Sequence, residues 1–110
     1  MLFRSIQYPG CGSFFGAASY MALEAGALCG ISLASLVAER TGHITQLCVG
    51  PSHRDRGVGY ALLRRSLVAL AGHGCNSVSL TVTKANQHAV RFYRRMGFTP
   101  LRDFAAYVWE

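Results

Sequence analysis

An α/β fold is what this sequence predicts, and three observations predict it. Two stretches, one opening at Gly57 and one at Asn86, carry apolar residues at helical spacing. Between them, Ser77 to Thr83 alternates Val78, Leu80 and Val82 against Ser, Ser and Thr, the pattern of a strand with two unlike faces. The chain has 110 residues, 51% of them hydrophobic, which suits a single domain with one core, so residues 1–110 are read as one unit.

Taken in order, the elements begin late. Residues 1–18 read as an irregular arm, because Gly10, Cys11, Gly12 and Gly16 crowd a stretch without period. Tyr20 to Leu23 and Ala27 to Val37 then form a hairpin about Glu24-Ala25-Gly26, with Gly26 supplying the positive φ of a tight reversal. His43 to Val49 is a third strand, stopped by Gly50-Pro51 and followed by a polar loop, Ser52 to Arg56. In the first helix Leu63, Leu67, Leu70 and Ala71 share a stripe flanked by Val58, Ala61 and Leu62, which leaves Arg64 and Arg65 to water. Gly72 and Gly74 end it. Asn86 caps the second helix, Ala89, Tyr93 and Met96 share its inner face, and Gly97 terminates it in the left-handed conformation. Phe98 to Trp109 returns as one or two terminal strands around Pro100.

Composition narrows the function classes. Lys and Arg number 11 against 5 Asp and Glu, a formal charge of +6, so an anionic partner is favoured: nucleic acid, an acidic membrane face or a phosphorylated small molecule. The longest nearly apolar run, Ala27 to Ala38, is too short for a bilayer span. Met1 to Gln7 lacks the apolar region and small-residue cleavage site of a secretory signal, so a cytoplasmic protein is expected. Cys11, Cys29, Cys48 and Cys75 show no C-x-x-C or Cys/His spacing; no metal site is expected, and the four read as buried free thiols.

The chemistry concentrates where a strand ending in Val49 passes through a short loop into Arg54-Asp55-Arg56-Gly57-Val58-Gly59 and a helix. The first amides of a helix lack intrahelical partners and sit at the positive end of its dipole, so they hold phosphate. Gly57 and Gly59 keep side chains out of the way, and Arg54 and Arg56 add charge. Leu62 stands where a dinucleotide fingerprint needs its third glycine, and no Gly-Lys-Ser/Thr follows, so dinucleotide and NTP sites are set aside.

This hexapeptide resembles the R/Q-x-x-G-x-G/A acyl-CoA motif of the GNAT superfamily of N-acetyltransferases. The stretch from Asn86 to Phe98 is similar to that family's N-x-x-A-x-x-F/L-Y-x-x-x-G-F segment, and the likeness spans Ala18 to Trp109. It implies a GNAT-like mixed central sheet flanked by helices, N-terminally shortened, with residues 19–110 as the acyl-CoA-binding core. It further implies transfer of an acetyl group from acetyl-CoA to the amine of a small molecule or a peptide by direct attack in a ternary complex. Leu47, Cys48 and Val49 would then pair with the pantetheine arm, and the amides of Arg56, Gly57, Val58, Gly59, Tyr60 and Ala61 would hold the pyrophosphate. Arg54 would flank the phosphates, with Asp55 an opposing charge inside the same loop. Asn86 would bond the pantetheine region or serve only as a cap. Tyr93 would protonate the departing thiolate or be a packed core tyrosine. His43, near where some relatives place a base, would be that base or a solvated strand-edge histidine. Cys48 as an acyl-accepting nucleophile is disfavoured for want of a partnered His.

The chain departs from the family pattern at its start, where a strand and a helical pair are expected before Tyr20. Their absence leaves an open edge on the first hairpin strand, which a second copy could cover to give a homodimer. The alternative to an enzyme is a non-catalytic acyl-CoA-binding or dimerisation module. A nucleic-acid domain is a third reading, weakened because the arginines gather at the phosphate loop and second helix.

Overall fold

Strand signals in the first half of the chain produce a meander. The structure, a computed structural model, describes residues 1–5, 16–82, 86–100 and 106–109. Strands β1 (Leu2–Ser5), β2 (Tyr20–Glu24), β3 (Ala27–Ala38) and β4 (Thr41–Val49) pair antiparallel in sequence order. Helix α1 (Val58–Gly72) then crosses the sheet, and β5 (Ser77–Thr81) returns parallel to β4. Helix α2 (Gln87–Arg95), β6 (Thr99–Pro100) and β7 (Ala106–Trp109) complete a mixed seven-stranded sheet in the order β1-β2-β3-β4-β5-β7-β6. The expected α/β class with a mixed sheet and helices is what is found.

Both helices pack on one face of that sheet. Val58, Leu62, Leu63, Ser66, Leu67 and Leu70 form the buried side of α1, with Arg64 and Arg65 outside. The stripe centres on Leu62 and Ser66, so Ala71 is exposed rather than inside, and Ser66 instead hydrogen-bonds the buried Ser32 hydroxyl of β3 at 2.8 Å. Val90, Phe92 and Tyr93 of α2 and its C-cap Met96 pack on the same core, against Ile44, Val78, Leu80 and Phe98. Gly97, at φ 103, ends α2 as its spacing predicts.

One strand is longer in chemistry than in pattern. Gly42 and Ile44 of β4 face the helices; a Cβ on Gly42 would come within 2.8 Å of Leu70, so only glycine lets α1 lie this close. Opposite Leu33 and Ala34 the pairing shifts by a residue at Thr45, whose hydroxyl donates to the Leu33 carbonyl at 3.1 Å. The bulge re-phases the strand, so Leu47 and Val49 rejoin the helix side with Val58 and Leu62, while Cys48 falls on the other side.

Two expectations need correction. Residues 2–5 are a strand, not part of an irregular arm. Four residues are too few to show a period, yet Phe3 packs on the Ala22–Val58 cluster and takes the Arg65 guanidinium 4.1 Å above its ring. The arm also holds a 3₁₀ turn, Gly16–Ala18; Gly10, Cys11 and Gly12 lie outside the described residues, as does Thr83 at the end of the expected fifth strand. Strand β2 is therefore paired on both sides, and the open edge that argued for a second copy is occupied by β1. The second correction concerns the thiols: Cys29 and Cys75 are buried, but Cys48 is exposed, because the bulge turns it from the core.

The β2–β3 hairpin closes through Ala25 (φ 53) and Gly26 (φ 82), both left-handed, as a two-residue turn between antiparallel strands demands. Alanine is a poor occupant of that conformation. Ala25→Asn is expected to stabilise the domain by about 0.5–1 kcal/mol, read as a higher denaturation midpoint at unchanged slope.

Candidate acyl-CoA site

Strands β4 and β5 pair only from Thr41 to Ile44 with Ser77 to Leu80. Beyond that point β4 keeps its bonds to β3 through Val49, while its opposite edge, Thr45 to Val49, has no strand partner among the described residues. An open backbone edge can pair with an extended, amide-bearing ligand.

The edge runs directly into the loop. The Gly50 amide donates to the Cys29 carbonyl at 2.8 Å, Pro51–His53 forms a 3₁₀ turn, and Asp55 (φ 62) and Gly57 (φ 79) adopt left-handed backbone. Aspartate tolerates that conformation better than most residues, which explains how it occupies a place glycine would fill. Gly57 is the N-cap of α1 and supplies no side-chain cap; the first turn has no acidic residue. The amides of Val58, Gly59 and Tyr60 thus end the helix without intrahelical acceptors, at the positive end of its dipole. The Ala61 amide already donates to the Gly57 carbonyl at 3.0 Å, so the free series stops at Tyr60.

Edge and loop share one groove of about 770 Å³, lined by Leu47, Cys48, Val49, Arg54, Asp55, Gly57, Val58, Gly59, Tyr60 and Asn86. Ten of the expected site residues therefore meet in one place. Arg54 Nε donates to the Val49 carbonyl at 3.2 Å, which keeps its guanidinium beside the strand end. Asn86 Oδ1 accepts from the Ala89 amide at 3.1 Å, so the residue caps α2, and its side-chain amide nitrogen is not used by that bond.

The other expected residues stand off the groove. Arg56 turns away, its Nη2 3.4 Å from Glu24 Oε2 at the end of β2. His53, by contrast, does line the groove, with its Nε2 3.5 Å from Glu24 Oε1 without hydrogen-bond geometry. These partly exposed pairs tether the loop weakly. Tyr93 is half-buried on the helix side, edge-on to Phe92 (5.3 Å) and Phe98 (5.8 Å), and burial raises its phenol pKa above the ordinary 10.0. His43 alternates with Gly42 and Ile44 and so projects from the opposite face, its Nδ1 2.8 Å from Ser79 Oγ on β5.

Sequence reasoning missed part of the wall. His88, Ala89, Phe92 and Arg95 also line the groove. Their spacing along α2 is one helical stripe, a signal that was available once Asn86 was placed at the groove.

The chain matches the Acetyltransferase (GNAT) family over residues 4–98 and belongs to it. It is 33% identical over 69 residues to a mycothiol acetyltransferase of Corynebacterium jeikeium, covering 63% of this chain and 20% of that one. Among solved structures it resembles Ard1 from Thermoplasma volcanium, with a TM-score of 0.73 and 27% identity over 83% of this chain and 67% of that one. The PaiA N-acetyltransferase from Thermoplasma acidophilum, solved in complex with coenzyme A, shares the fold with a TM-score of 0.74 and 20% identity, over 82% and 57% of the two chains. The chain spans between 20% and 33% of the length of the first mycothiol acetyltransferases it matches. Among the described residues no helix is long and apolar enough to cross a membrane, and no cluster of His, Cys, Asp or Glu could hold a metal.

Proposed function

We propose that this domain transfers the acetyl group of acetyl-CoA to an amine, small-molecule or peptidic, by direct attack within a ternary complex. The observation that carries this reading is the continuity of the open β4 edge with the free amides of α1 in a single groove. Leu47, Cys48 and Val49 present strand hydrogen bonds to the pantetheine arm, Asn86 adds a side-chain amide, and the backbone amides of Arg56 to Tyr60 with the Arg54 guanidinium receive the pyrophosphate.

Acid and base would act from opposite faces of the sheet, Tyr93 from the helix side and His43 from the other. The amine nitrogen attacks the thioester carbonyl, His43 takes its proton, and the carbon–sulfur bond breaks. Tyr93, a phenol already protonated at neutral pH and pushed further up by burial, delivers a proton to the leaving thiolate. Holding both reactants in one site supplies much of the acceleration.

The test is initial-rate kinetics of thiol release, varying acetyl-CoA against an N-terminal peptide, an amino sugar and a linear polyamine. Intersecting double-reciprocal lines with at least one amine are expected. Parallel lines, with acetyl found on Cys48, would replace direct transfer by an acyl-enzyme route. Binding without thiol release would mark a non-catalytic acyl-CoA-binding module.

A further inference from the structure

We infer that Ser79 is a positioning residue for His43, engaging Nδ1 so that Nε2 is the nitrogen that exchanges a proton with the acceptor amine. The inference rests on the base role given to His43 above and adds the residue that would orient it.

Parallel pairing of β4 with β5 sets His43 directly beside Ser79, and antiparallel pairing of β3 with β4 sets Ser35 on its other side. The three residues form a row across one face of the sheet, at the last part of β4 that β5 still accompanies. Ser35 is buried, at 7% exposure, and His43 and Ser79 are half-buried. In this row the Ser79 hydroxyl lies 2.8 Å from His43 Nδ1, well inside hydrogen-bond range.

A neutral imidazole carries one proton on two nitrogens, and only the bare nitrogen can act as a base. If Ser79 Oγ accepts from Nδ1–H, the ring is held in the tautomer whose lone pair is on Nε2. That nitrogen takes the amine proton, and the charge so formed keeps its Nδ1–H bond to the hydroxyl. Without this contact the ring chooses its tautomer and rotamer freely.

Ser77, Ser79 and Thr81 all belong to the polar face of β5, and the Thr41 and Ser77 hydroxyls make a looser 3.4 Å contact one pair earlier. A merely polar face accounts for a serine at position 79. It does not require that the serine govern the imidazole, and this difference is measurable.

The experiment is long-range proton–nitrogen NMR of the His43 ring in the unmodified chain, Ser79→Ala and Ser79→Thr, with thiol release from acetyl-CoA measured on the same amine panel. The expected result is protonated Nδ1 and bare Nε2 in the neutral ring, lost in Ser79→Ala and restored in Ser79→Thr. In parallel, kcat should fall about ten-fold in Ser79→Ala at unchanged KM for acetyl-CoA, and recover in Ser79→Thr. A ring protonated on Nε2 in the unmodified chain, or a tautomer indifferent to Ser79→Ala, would overturn the inference. The expected tautomer together with full kcat in His43→Gln would instead overturn the base role of His43, and with it any part for Ser79 in turnover.

Discussion

Gly57→Asp is expected to weaken acetyl-CoA binding by about 100-fold or more while leaving the fold intact. The residue sits at φ 79 as the N-cap of α1, and nothing lies within 4 Å of where its Cβ would be. A Cβ there therefore has open space, and aspartate accepts left-handed backbone at modest cost. The loss comes from placing a carboxylate where the pyrophosphate should approach the free amides of Val58 to Tyr60. Opposing charge and displaced charge-assisted hydrogen bonds together are worth about 3 kcal/mol, which sets the fold-change. Gly57→Ala separates the two contributions. It adds backbone strain of about 1 kcal/mol without charge and should weaken binding by less than ten-fold. The check is the acetyl-CoA KM and dissociation constant of both variants beside their unfolding midpoints.

Tyr93→Phe has the second largest expected effect, a fall in kcat of about 10- to 100-fold at nearly constant KM for acetyl-CoA. The ring is held edge-on between Phe92 and Phe98, and phenylalanine keeps those contacts, so unfolding should move little. The phenol is the active form of a proton donor. Burial raises its pKa above 10.0, so activity that depends on it persists through neutral pH and is lost only as pH rises through that raised value. Stability has the same sign: the buried neutral phenol contributes fully below about pH 10 and less as the unfolded chain ionises above it. The alkaline fall in kcat should therefore be present in the unmodified chain and missing from Tyr93→Phe. A variant with the same kcat and the same alkaline fall would return Tyr93 to the core as packing alone.

Much of this architecture was legible because its signals are local. The stripe on α1, the alternation of Ser77 to Thr81, the Asn86 cap and the left-handed Gly97 each follow from a few neighbouring residues. Local pattern failed where tertiary contacts decide. Leu2–Ser5 becomes a strand because β2 offers an edge and Arg65 covers Phe3, neither of which is near in sequence. Cys48 emerges from the core because a bulge opposite Leu33 shifts the phase of β4, and no single-strand pattern encodes the partner's register. At the site, ten of the residues that the family resemblance singles out line one groove; nine of them run from the end of β4 through the loop into the start of α1, and Asn86 joins them from the start of α2. The tether from Glu24 to Arg56 joins residues 32 positions apart, and nothing in either neighbourhood announces it.

The most direct test of the acyl-CoA site is amide NMR of the full chain during titration with acetyl-CoA. Saturable binding is predicted, with the largest shifts at Leu47 to Val49, at Arg56 to Tyr60 and at Asn86. Saturable shifts clustered away from β4 and the start of α1, or no response at millimolar acetyl-CoA, would contradict it.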